Sequence, residues 1–215
     1  MQESAPYAEK LAVEMNEVMR LSQLNYVNRE SGDVGMITYY TTCDSPFQTI
    51  TLTSDGQSLT GLTMSAQKHA RVVDDQWVHL DEIAPFKQVK EQLRAYFEGD
   101  LTAFDVPISL HGTPFQLKVW AELQHIGYGQ TLAYGELANR IGDLNAMRAV
   151  GMAAGHNPIG IIVPCHRLVG AQGKLVGYAA GLERKASLLD FEKSVAARGP
   201  HKFAVQQHAL FEGAL

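Results

Sequence analysis

Cysteine is almost missing from this chain. Cys43 and Cys165 are the only two thiols, they lie far apart, and no metal-type Cys/His spacing surrounds either. That excludes a disulfide framework and a zinc site of the usual kinds, and a lone Cys43–Cys165 bridge is disfavoured because disulfides are rare in reducing compartments. Long apolar runs are missing too. None approaches the roughly 20 residues needed to span a bilayer, and Met1-Gln2-Glu3-Ser4 lacks the basic start and apolar stretch of a secretion signal, so a cytoplasmic protein without membrane contact is expected. Basic excess is the third absence. A net charge of −5 over 215 residues argues by itself against a nucleic-acid binder. Its distribution reopens the question, because residues 110–200 carry nine Lys/Arg against six acids, leaving the rest of the chain at −8. A mildly basic domain beside an acidic one fits this, and so does an uneven scatter of surface charge.

What is present begins after Ser4 and Pro6, where Tyr7, Leu11, Met15, Val18 and Leu21 recur near helical spacing and predict an amphipathic helix. Beyond the loop Ser31-Gly32-Asp33, β-rich runs at 36–42 and 49–53, a turn at Asp55-Gly56 and a third run at 59–64 predict an antiparallel meander. Phe86, Val89, Leu93 and Tyr96 predict a helix that Gly99 stops, and Phe104-Asp105-Val106-Pro107 looks like a linker into a second domain.

In that second domain, Thr113-Pro114-Phe115-Gln116 is a helix start with a Thr cap, Pro at the first helical position and Gln three after the cap. A short helix follows over 134–141, ended by Gly142, and another runs from near Asn145 to Gly155, in helix-turn-helix proportions. The second of these would read DNA, yet between 146 and 155 it offers one long polar side chain, Arg148. Small residues such as Ala146, Ala149 and Gly151 suit close approach to a minor groove, with Arg148 reaching into the base stack. They equally suit a helix packed tightly in a core, and composition alone leaves both readings open.

Ile159 to Val163 reads as a buried strand-like run, and Pro164-Cys165-His166-Arg167 follows. A free thiol with a pKa of about 8.5 is only slightly ionised at neutral pH, so a cysteine beside histidine is a candidate nucleophile. A buried, inert cysteine is the alternative, and adjacency alone does not choose.

Residues 112–192 resemble the catalytic domain of the O6-alkylguanine-DNA alkyltransferases. The likeness rests on Gly112 to Gln116, Val119-Trp120, Tyr134-Gly135, Arg148 to Gly151, Asn157-Pro158, Ile161 to Arg167, Gly173, Gly177-Tyr178, Gly181-Leu182, Lys185, Leu188-Leu189 and Glu192. The resemblance implies an α+β protein: a small N-terminal α/β domain with an antiparallel sheet over 35–109, then a mostly helical domain with a winged helix-turn-helix over 110–195. Residues 1–34 and 196–215 would be an extension and a tail. It implies single-use transfer of an alkyl group from O6 of guanine, and also from O4 of thymine, to Cys165 after the damaged nucleotide is flipped out. His166 would take the thiol proton through water and Glu192 would orient His166. Tyr134 would donate to the guanine and Arg148 would fill the gap in the stack. DNA contacts would come from Arg148, Ala146, Ala149, Gly151, Thr113 and Gln116. Asn157 would brace the reading helix, and with Gly160, Leu168, Tyr178, Ala179 and Tyr134 would line the guanine pocket. The implied partner is duplex DNA carrying O6-alkylguanine, met by a monomer without cofactor or metal. Gly160, where some relatives have proline, and Ala180, where many have glycine, are departures. Cys165 separates the chain from related lesion-binding proteins that lack the cysteine, while a helix-turn-helix regulator remains the other alternative.

Overall fold

The structure is a computed structural model that describes residues 37–69 and 72–199, with the backbone of 26–27 and 34–35. The predicted opening helix, the loop at 31–33 and the tail beyond 199 lie outside the described residues.

β1 (Tyr26–Val27) and β2 (Val34–Gly35) form a short antiparallel pair. The predicted meander is present as β3 (Tyr39–Cys43), β4 (Ile50–Ser54) and β5 (Leu59–Met64), with Thr41 opposite Leu52 and Leu52 opposite Leu62. The Asp55 carboxylate closes its second turn by accepting from the backbone N–H of Gln57 and Ser58. Gly56 there has φ +98°, a conformation that favours glycine. A fourth strand, β6 (Val78–His79), joins β3 in parallel and makes the sheet mixed. Two residues are too few to show a period in the sequence.

α1 (Ala84–Glu98) lays Phe86, Val89, Leu93 and Tyr96 into the core, and Gly99 ends it at φ +82° with its N–H on the carbonyls of Ala95 and Tyr96. Burying side chains of this size stabilises by roughly 1.5–3 kcal/mol each. The expected linker is pinned rather than free: Leu59 donates to the Pro107 carbonyl at 2.8 Å and Ser109 to that of Leu59 at 2.9 Å.

α2 (Pro114–Gln124) carries the full capping box, Thr113 Oγ1 accepting from Gln116 N at 3.2 Å and Gln116 Oε1 from Thr113 N at 2.9 Å. β7 (Leu132–Ala133) leads into α3 (Tyr134–Arg140), and Gly142 with a 3₁₀ turn at Leu144–Ala146 leads into α4 (Met147–Gly155). The Trp120 indole donates to the Ala153 carbonyl at 2.8 Å and locks α2 onto α4. β8 (Leu168–Val169) pairs in parallel with β7 beside the helix-turn-helix, and α5 (Leu182–Arg198) closes the fold.

The run at 159–163 is buried as expected, but it is not a strand. It makes one bridge to the edge of β5, with Leu62 N on the Pro158 carbonyl and Gly160 N on that of Leu62, and then folds back through tight turns. Ile161 sits there at φ +66°, strained for a β-branched residue and tolerated because its surroundings are fully packed. The turn-back delivers Cys165 to the C-terminal end of α4.

Candidate active site

Cys165 opens a 3₁₀ turn, Cys165–Arg167, at the floor of a cleft of about 900 Å³. Tyr134 and Gly135 of α3, Met147, Arg148, Gly151 and Met152 of α4, and the loop from Val176 to Ala179 surround it. The thiol is 8% exposed, and burial pushes its pKa up. Opposing that rise are the Asn157 side chain, the nearby Lys185 charge and the backbone N–H groups of Cys165 and His166.

Asn157 holds the whole turn. Its Nδ2 donates to the Val163 carbonyl at 2.7 Å and to Cys165 Sγ at 3.2 Å, and its Oδ1 accepts from Ile159 N at 3.1 Å. It lies behind the cysteine, not on the cleft wall. Gly160 is also off the wall, buried against the Leu62 carbonyl, and Leu168 is fully buried in β8. These three expected pocket residues are therefore not part of the cleft lining: the Asn157 carboxamide is engaged in hydrogen bonds within the turn, and Gly160 and Leu168 are buried in packing. Tyr134, Tyr178 and Ala179 do line it.

Behind the thiol, Glu192 of α5 is a buried hub. Its Oε1 accepts from His166 Nε2 (2.9 Å), Arg167 Nη2 (2.9 Å) and the Tyr96 hydroxyl (2.8 Å), while Oε2 accepts from Arg167 Nε (2.9 Å) and Gly129 N (3.1 Å). Burial would raise this carboxyl; the hydrogen bonds from His166 and Arg167, with the Arg167 charge, outweigh it and hold the pKa at about 2. An ionised carboxylate can only accept, so His166 Nε2 carries the proton and Nδ1 is the basic nitrogen. Burial pushes the His166 pKa down against the pull of Glu192, leaving a neutral imidazole. Nδ1 is buried and has no hydrogen-bond partner among the described protein groups.

Over the cleft, burial first and the Cys165 charge second push Tyr134 up to about 12, so its phenol stays a donor. The Tyr134 hydroxyl is 3.4 Å from the Gly177 carbonyl. Lys185 donates to the carbonyls of Val176 (2.7 Å) and Gly177 (3.0 Å), fixing the loop, with its Nζ 5.6 Å from the centroid of the Tyr134 ring; burial lowers its pKa to about 8, while the Cys165 charge resists.

Arg148 is exposed on α4 and lines the cleft, as does Gly151, and Ala149 is exposed beside them. Ala146 is 8% exposed, so its side chain faces the core and offers a DNA strand little. Thr113 Oγ1 and Gln116 Oε1 are engaged in the helix cap. Sequence reasoning gave no role to Arg167, Lys185 or Tyr96. Arg167 stood in the Pro-Cys-His-Arg block and Lys185 among the matched positions; Tyr96 read only as part of an apolar helix face, and nothing local ties it to Glu192.

Two family sequence models match the chain: the 6-O-methylguanine DNA methyltransferase ribonuclease-like domain at residues 38–110 and the DNA-binding domain of the same family at 114–194. The methylated-DNA–protein-cysteine methyltransferase of Mycobacterium tuberculosis is 49% identical over 73% of this chain and 93% of its own length. That of Methanosarcina acetivorans is 47% identical over 73% and 99%. Among solved structures, Mycobacterium tuberculosis OGT in complex with DNA superposes with a TM-score of 0.67 at 49% identity, covering 73% of this chain and 94% of that one.

Proposed function

The chain belongs to the 6-O-methylguanine DNA methyltransferase family, and from that premise we propose that its reaction runs through Cys165 with His166 as base and Glu192 as the group that steadies the base. It is a DNA-repair protein that transfers an alkyl group from guanine O6 to a cysteine of its own.

The observation that carries the assignment is the neutral imidazole that follows the buried Cys165 in the chain, its protonated nitrogen fixed on an ionised Glu192. The free basic Nδ1 takes the Cys165 proton through a bridging water, and Glu192 stabilises the imidazolium so formed. Sγ then attacks the alkyl carbon. The C–O6 bond breaks, its electron pair passes to the guanine, and the neutral Tyr134 phenol donates to the base as that charge grows. The thioether left on Cys165 has no leaving group that water displaces, so each molecule acts once.

Reaching a base in duplex DNA requires its extrusion into the cleft, and Arg148, the one long polar side chain on α4, occupies the gap in the stack. The substrate is duplex DNA with O6-alkylguanine, and the cleft is complete within one chain, which fits a monomer. Cys165 favours transfer over lesion binding alone, and the lack of other base-reading side chains on α4 disfavours a sequence-specific regulator. After reaction with excess O6-methylguanine duplex, intact mass and peptide mapping should find one added methyl, on Cys165. Repeated turnover, or methyl on Cys43, refutes the assignment.

A further inference from the structure

The sheet domain is acidic, with ten carboxylates against five Lys/Arg over residues 38–110. Three of its basic side chains are tied to carboxylates: Lys87 to Glu82, Lys90 to Asp81 and Arg94 to Glu98. Lys68 is exposed with no carboxylate partner among the described residues, and it stands with His69 on the wall of the cleft that holds Cys165. Nothing lining that cleft is acidic, and Arg148 is its other cationic side chain.

The segment that presents Lys68 and His69 is held in a costly shape. Ala66 (φ +58°) and His69 (φ +60°) both adopt left-handed backbone without being glycine. The shape is fixed from the helical domain. Lys68 N donates to the Ala179 carbonyl at 2.9 Å, and Arg184 donates to the Ser65 carbonyl at 2.6 Å and to Gln48 Oε1 at 2.9 Å. His69 stacks on His156 at the end of α4, with ring centroids 4.5 Å apart and planes 23° apart. His156 Nδ1 is 2.8 Å from the Met152 carbonyl and carries the proton, so His156 is the platform and His69 the free edge. Near-parallel stacked rings do not aim two nitrogens at one metal ion.

We propose that Lys68 and His69 form a phosphate-binding site on the sheet domain for the DNA strand whose nucleotide enters the cleft, extending the DNA contact beyond the helix-turn-helix. An anionic backbone is the ligand this chemistry fits. It supplies the charge Lys68 lacks, it accepts from a His69 ring N–H, and it runs past the mouth of the same cleft. Preorganising the segment through Ala179, Arg184 and His156 spares the cost of ordering it on binding. The inference rests on the reading that the cleft receives an extruded nucleotide.

The test uses the full chain carrying Cys165→Ser and a fluorescent duplex with one O6-methylguanine, measuring Kd by anisotropy from 50 to 200 mM salt. Lys68→Ala should weaken binding and make the log–log salt slope shallower by about 0.9, so that affinity changes roughly three- to fourfold less over that range than in the parent. Lys68→Arg should restore the slope, and His69→Ala should weaken binding with a smaller change in slope. An unchanged slope in Lys68→Ala, or loss of slope in Lys68→Arg as well, overturns the site. Alkylation of Cys165 in the unsubstituted chain by the same duplex is the separate check on the function: if it fails, the reading beneath falls; if it succeeds while the slope is unmoved, the phosphate site alone falls.

Discussion

Replacing Glu192 by Gln keeps the shape and removes the charge on which five donors converge. The amide turns N–H groups toward Arg167 or His166 and leaves the Arg167 guanidinium buried without its counter-charge. Depression of the carboxyl from 4.5 to about 2 corresponds to about 3 kcal/mol of stability near neutral pH. Breaking a buried ion pair from one side typically costs about 3–5 kcal/mol, so the two routes agree. For a chain of this size that lowers Tm by about 6–12 °C. The sign with pH is fixed. A carboxyl depressed on folding contributes above its unfolded value and loses that contribution as pH falls through its folded value. The difference between the parent and Glu192→Gln should therefore persist from pH 7 to 5, where the His166 that Glu192 supports also titrates, and the carboxylate's share should shrink between about 4.5 and 2. Denaturant unfolding across that range measures it. Transfer to Cys165, assayed well below Tm, should slow by about a hundredfold as the imidazolium loses its carboxylate. A loss under about 1 kcal/mol at pH 7, or a difference undiminished at pH 3, refutes the role assigned to Glu192.

Removing the Asn157 carboxamide in Asn157→Ala takes away a hydrogen bond that lowers the Cys165 pKa, so the pH profile of iodoacetamide labelling at Cys165 should move to higher pH. A profile that stays in place means the residue only braces the chain. Arg148→Ala should slow repair of duplex DNA far more than attack on free O6-alkylguanine base, since only the duplex needs its stack filled. Equal losses on both substrates would assign Arg148 to the fold. Cys165→Ser should bind damaged duplex and show no mass increase; transfer by this variant would move the acceptor elsewhere.

The meander, α1 with its Gly99 stop, the Thr113–Gln116 capping box and the helix-turn-helix were legible from the sequence, because each is specified by neighbours within a few residues: alternation, 3.6-residue periodicity, caps and turns. Cys165, His166 and Tyr134 were legible through motif likeness. The two-residue β6 was not, since its pairing with β3 is a long-range choice, and the apolar run at 159–163 looked like a strand because composition reports burial, not direction. Only the folded chain decides that this run turns back at Ile161, that Asn157 reaches Cys165 Sγ, and that Tyr96 of the sheet domain closes on Glu192. It also decides that Gly160 and Leu168 are buried away from the cleft lining while Lys68 and His69 stand on its wall. Such contacts join residues tens of positions apart, and their energy comes from burial and hydrogen-bond saturation that exist only once the two domains pack. The sequence therefore named the candidate groups for the chemistry; packing determined their ionisation, their aim and the cleft that surrounds them.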